Sequence, residues 1–185
     1  AGGVPEQEGA AQVSRRQGAS YSPHPTYMHS PFVLRTAGKE YETVKLYLSA
    51  DIEGTAGIDT WDDTEIGKEK YAYFARQMTR EVSAAVEGAE LSGYETTVKD
   101  AHDSARNLDP AGLPRSARLI RGWTRDLFCM MGGLDQDRYD AVAFTGYHSG
   151  ATGGGNPLSH TMSTSVQRVR INGELIVLEE AALAI

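Results

Sequence analysis

The sequence predicts an α/β domain, three-layered around a largely parallel sheet. Three observations carry that expectation. Apolar, β-prone runs alternate with helical spacing, as strands joined by crossover helices do. A length of 185 residues suits one domain with a sizeable core. The composition, 40% hydrophobic and 23% charged, is that of a globular chain rather than a disordered or fibrous one.

Residues 1–43 stand apart from the rest. They hold Pro5, Pro23, Pro25 and Pro31, balance four basic against four acidic side chains, and keep no period of 2 or 3.6. So polar a stretch cannot bury enough apolar surface to offset its ordering entropy, so it reads as a flexible extension or linker. Arg15-Arg16 lacks the apolar segment an export signal requires. The folded domain is expected over residues 44–185.

From Val44 the pattern changes. Residues 44–50 (VKLYLSA) read as a strand. Gly54 and Gly57 mark a loop. Residues 65–91 carry Ile66, Tyr71, Phe74, Met78, Val82, Ala85, Val86 and Ala89 near helical spacing, and Ser92-Gly93 ends that helix. Residues 96–99 and 117–120 read as short strands and 127–131 as a short helix. Residues 139–146 form the strongest buried-strand candidate. Residues 165–177 read as a hairpin turning at Asn172-Gly173, and 179–185 begin a helix.

Charge and cysteine content exclude several functions. The net charge of −7 falls entirely on residues 44–185, which argues against a partner held by Lys and Arg on phosphates. The single Cys129 excludes an intramolecular disulfide framework and fits a reducing, cytoplasmic setting. No apolar run approaches the ~20 residues of a membrane span. Neither nucleic acid nor membrane is an expected partner.

Chemistry-bearing side chains gather just past the strand ends. Asp51 and Glu53 follow the first strand, His102 and Asp103 the second, and His148 the strand ending near Gly146. In open α/β sheets that carboxyl edge is where ligands bind. Asp51 and Glu53 share a face if the strand continues, and two adjacent carboxylates repel unless a cation lies between them. A lone D-x-E is more often a solvated loop; its coincidence with histidines from two other segments raises the odds of a metal site. Two carboxylates with two histidines suit Zn²⁺, and a fifth ligand, Glu179 or Glu180, suggests two ions. His160 is a third loop histidine. Arg106 is weighed as a grip for a substrate carboxylate, with a surface ion pair as the blander reading. Met130-Met131 reads as core, and the glycine-rich run at 150–157 as a loop shaping the site rather than a phosphate cradle.

These motifs resemble a known family. Ser49-Ala50-Asp51-Ile52-Glu53-Gly54 is similar to the S-x-D-x-E-G signature of the DppA-type D-aminopeptidases, which are zinc metallopeptidases. The likeness continues through Asp100-Ala101-His102-Asp103-Ser104, Gly146-Tyr147-His148, Ser159-His160-Thr161-Met162-Ser163 and the acid after Asn172-Gly173. It spans 44–185 in order and leaves residues 1–43 without a counterpart. It implies a two-zinc site held by Asp51, Glu53, His102, His148 and Glu179, with Glu180 as the alternative last ligand and His160 as the catalytic histidine. It also implies cleavage of the amino-terminal bond of short peptides, a leaning to D-residues, a ring-like homo-oligomer, and a C-terminal part continuing beyond residue 185. Two other readings stay open: a two-metal phosphoesterase, which needs the same residue types, and a non-catalytic metal-binding module.

Overall fold

The computed structural model describes residues 43–123, 125, 128–151 and 156–176. Its centre is a four-stranded, wholly parallel sheet made of β1 (Val44–Ala50), β2 (Tyr94–Asp100), β3 (Arg118–Ile120) and β4 (Ala141–Thr145), in the order β3-β2-β1-β4. β1 pairs Leu48 with Val98 on one side and with Ala143 on the other. The chain moves outward from β1 through β2 to β3, then returns to β4 on the opposite flank. That reversal opens a crevice at the strand carboxyl ends between β1 and β4.

Helix α1 (Tyr71–Leu91) covers one face. Phe74, Met78, Val82 and Val86 recur every fourth residue, so one stripe is buried against Leu48, Ala50, Ile52 and Val98. Strand alternation turns Tyr47 and Ser49 to the other face. There Tyr47 Oη donates to the Gly132 carbonyl at 2.9 Å and Ser49 Oγ to that of Met130 at 3.0 Å. The third layer on that side includes the 3-10 turn Cys129–Met131. The short hairpin of β5 (Arg170–Ile171) and β6 (Glu174–Leu175) turns at Asn172-Gly173 as expected.

Two expectations need correction. The helix begins at Tyr71 rather than residue 65, because Gly67 at φ +93° breaks the helical run; residues 65–70 form separate turns and Ile66 is exposed. The β4 segment is only half-buried, with Val142 exposed, because it lies at the sheet's edge rather than its middle. The helix expected over 179–185 lies outside the described residues, as do residues 152–155 of the glycine-rich run. Among the described residues, no helix is long and apolar enough to cross a membrane.

Candidate metal centre

Asp51 is the first residue after β1, and the chain turns at once rather than continuing as a strand. Thr55 N donates to the Ile52 carbonyl at 2.9 Å, folding residues 52–55 back. Asp51 and Glu53 converge through this turn, not through strand alternation. The turn is locked to the one after β4: Asp51 N donates to the Thr145 carbonyl at 2.9 Å and Gly54 N to that of Gly146 at 2.7 Å. Glycine is required on both sides of this contact. A Cβ on Gly54 would sit 2.3 Å from the Tyr147 carbonyl oxygen, and one on Gly146, whose φ is +66°, would sit 2.1 Å from that of Asp51.

The loop after β2 is held differently. The buried Asp100 carboxylate accepts from Asn107 N at 2.6 Å, Asn107 Nδ2 at 2.9 Å and Leu108 N at 2.8 Å. This clamp shapes the loop that carries His102.

These three loops bring Asp51, Glu53, His102 and His148 together, with His160 beside them. His102 Nδ1 lies 3.3 Å from Asp51 Oδ1 and 3.1 Å from Glu53 Oε2, and His148 Nε2 lies 3.6 Å from Asp51 Oδ2. The two oxygens of Asp51 thus face different histidines. Ligand-capable atoms of Asp51, Glu53 and His102 fall within 4.8 Å of one another, as do those of Glu53, His148 and His160, so Glu53 is common to both groups. Glu179 and Glu180 lie outside the described residues.

The donor set fits a divalent ion. Each histidine has one ring nitrogen on a backbone carbonyl: His102 Nε2 on Thr64 at 3.0 Å, His148 Nδ1 on Ser149 at 2.9 Å, His160 Nδ1 on Leu158 at 2.8 Å. A carbonyl only accepts, so that nitrogen carries the proton. In the neutral ring the other nitrogen then offers its lone pair, the arrangement typical of metal-ligating histidine. Asp51 and Glu53 are both buried, 2% and 4% exposed, so their paired charge needs a nearby cation. In the metal-free protein a proton on His102 fills that role. Burial and the Glu53 charge push the Asp51 carboxyl up to about 7. Burial also opposes charge on Glu53, but hydrogen bonding to His102 prevails and holds it down to about 2. Burial works against charge on His102 as well, yet the two carboxylates overcome it and push the imidazole up to about 10.

A cavity of about 320 Å³ opens beside the cluster, with Asp51, Glu53, His102 and His160 among its walls. Arg106 is exposed and does not line it. Met130 is core, as expected, but also borders this cavity.

Against this geometry the comparisons are specific. The D-aminopeptidase family model matches residues 44–184. The chain belongs to the D-aminopeptidase family. It is 37% identical over 132 residues to the D-aminopeptidase of Bacillus subtilis (strain 168), covering 70% of this chain and 46% of that protein. Its fold is similar to that of the Zn-dependent D-aminopeptidase DppA from Bacillus subtilis, described as a self-compartmentalizing protease. The TM-score is 0.69 at 32% identity, over 76% of this chain and 50% of that one. The chain therefore spans about half the length of these D-aminopeptidases.

Three contributors escape sequence reading. The Gly54–Gly146 contact joins positions far apart in sequence, and nothing local announces it. Asp100 stands in the Asp100-Ala101-His102-Asp103-Ser104 motif, but its clamp on Asn107 and Leu108 has no sequence signal. Trp61 sits in the 3-10 turn Trp61–Asp63, packed edge-on against His160 at 5.0 Å between ring centroids.

Proposed function

We propose that this D-aminopeptidase family member is a zinc-dependent aminopeptidase that releases the N-terminal residue of short peptides, D-residues included. The observation that carries the reading is the convergence of Asp51, Glu53, His102 and His148 at one sheet edge, each histidine with one ring nitrogen held on a backbone carbonyl. Two zinc ions are proposed. Asp51, Glu53, His102 and His148 would hold them, with Glu179 or Glu180 as the last ligand. Bound zinc supplies Lewis acidity, polarising the peptide carbonyl and lowering the pKa of the attacking water from about 15.7 toward 7.

The chain's own residues do the remaining work. His160 holds Nδ1–H on the Leu158 carbonyl, and its Nε2 would take a proton from the attacking water and return it to the departing amine. The acidic cavity favours a substrate with a positively charged N-terminus. A ring-like homo-oligomer and a cytoplasmic location belong to the same proposal, the first supported by the self-compartmentalizing relative.

The test sets D-Ala-D-Ala and its L-counterpart against p-nitrophenyl phosphate, with zinc-loaded and chelated protein. Release of the N-terminal residue only when zinc is present is the expected result. Phosphate release without peptide cleavage would transfer the site to phosphoester hydrolysis. Zinc binding with neither activity would leave a metal-binding module.

A further inference from the structure

Besides Ala101, four further residues border the cavity, and together they have a character the metal cluster does not explain. Trp123, Met130 and Met162 are large and apolar, and Asp103 is acidic. Trp123 is 41% and Met162 52% exposed, so substantial apolar surface faces solvent beside a charged floor. Apolar surface converging with a few placed polar groups is the usual make-up of a ligand site.

This surface is fixed in place. The Trp123 indole N–H donates to the Asp103 carbonyl, and the ring lies over Lys99 Nζ at 5.4 Å. Lys99 is fully buried and donates to the Gly122 carbonyl at 2.8 Å, so the support beneath the indole is itself anchored. The Met130 carbonyl accepts from Ser49 on β1. Asp103 and Met162 both adopt left-handed backbone, with φ +43° and +55°. Non-glycine residues hold that conformation where the surroundings impose it, and such residues cluster at functional sites. Among the described residues lining the cavity, none is lysine or arginine. Asp103 is an acid outside the metal cluster, which favours an ammonium over a carboxylate at that wall.

We propose that Trp123, Met130 and Met162 form the pocket for an apolar side chain on the substrate's N-terminal residue, with Asp103 accepting its ammonium group. The proposal rests on the aminopeptidase reading and names the substrate class: peptides beginning with a leucine-, methionine- or phenylalanine-like residue, with no requirement for a nearby C-terminal carboxylate. Methionine walls adapt to branched and aromatic shapes alike.

Amino alcohols separate this pocket from the chemistry, because they carry the amine and side chain but no scissile bond. Phenylalaninol, leucinol, alaninol and N-acetyl-phenylalaninol, in both enantiomers, are titrated calorimetrically into zinc-loaded protein. Phenylalaninol or leucinol should bind about tenfold or more tightly than alaninol. Acetylation should weaken binding, and Asp103→Asn should shrink the difference between free and acetylated amine. Trp123→Ala should bring the phenylalaninol-to-alaninol ratio toward one, while Trp123→Phe preserves it. Equal binding of all side chains, or selectivity surviving both Trp123→Ala and Met162→Ala, would overturn the pocket. Selective binding without peptide hydrolysis would keep the pocket and sink the enzymatic reading; hydrolysis without selectivity would do the reverse.

Discussion

The imidazoles of His148 and His160 lie face to face, with centroids 3.9 Å apart and planes 14° from parallel. The stack joins a ring assigned to the metal with one assigned to proton transfer. On another side His160 meets the edge of Trp61. His160 is therefore held by both rings and by the Nδ1 hydrogen bond to Leu158, the preorganisation that its proposed proton-transfer role would need.

Replacing His160 should separate binding from turnover. His160→Ala is expected to keep its zinc by elemental analysis while kcat falls roughly a hundredfold or more. Near-normal turnover would remove His160 from the mechanism.

Trp61 contacts the His160 ring, so its effect on turnover is expected to run through His160. An aromatic contact of this kind contributes about 0.5–1.5 kcal/mol, so Trp61→Ala should reduce kcat several-fold to about tenfold. Trp61→Phe should restore most of it, with KM little changed in either variant. A loss confined to KM would assign Trp61 to substrate contact instead.

Asp51 faces both histidines, so its removal should be the most damaging to metal binding. Asp51→Ala is expected to lower bound zinc in elemental analysis, and unchanged stoichiometry would refute its role. In the wild type, zinc at about a hundred times its Kd should stabilise the fold by about 2.7 kcal/mol, read as a rise in Tm that chelator reverses. The rise should be absent in Asp51→Ala.

Gly146→Ala tests the contact between the turns. The added methyl would overlap the Asp51 carbonyl in a left-handed backbone, at a cost of about 1–3 kcal/mol for the strain and more for the overlap. A clear drop in Tm and a loss of zinc together are expected. Gly88→Ala, in open space on α1, serves as the control and should not destabilise.

Far from the site, Asp137 accepts from Lys45 Nζ at 2.8 Å on both oxygens, and Arg118 lies 3.4 Å away. Hydrogen bonds from Lys45 and from the Arg138 amide hold its carboxyl below the ordinary 3.8. A lowered carboxylate pKa stabilises the fold above the unfolded value and loses that contribution as pH falls through the folded one. The Tm gap between wild type and Asp137→Asn should hold steady above about pH 5 and close below 3.8. A gap independent of pH would show that the ion pair adds nothing to stability.

Much of this was legible before any coordinates. β-prone residues placed β1, helical spacing placed α1 because burial of one face imposes that period, and the Asn172-Gly173 turn placed the hairpin. Asp51, Glu53, His102 and His148 were legible because the carboxyl edge of a parallel sheet concentrates ligating groups, whereas His160 stood out as a loop histidine and through the family resemblance. Illegible features came from packing between distant segments. Gly67 cut the helix short, although the apolar spacing runs past it. Phe144 and its neighbours in β4 read as a central strand, since strand order is a property of topology and not of composition. Trp123 is a single aromatic in a loop, and its place over Lys99 follows from tertiary structure alone.

The meeting of Gly54 and Gly146 also bears on descent and on engineering. Neither position can accept a side chain while the other turn keeps its path, so the two glycines are expected to persist or vanish together across homologous sequences. Loop grafting would have to move both turns at once, as one cassette. Saturation mutagenesis of either turn alone should return glycine at that position, however freely the exposed residues around it vary.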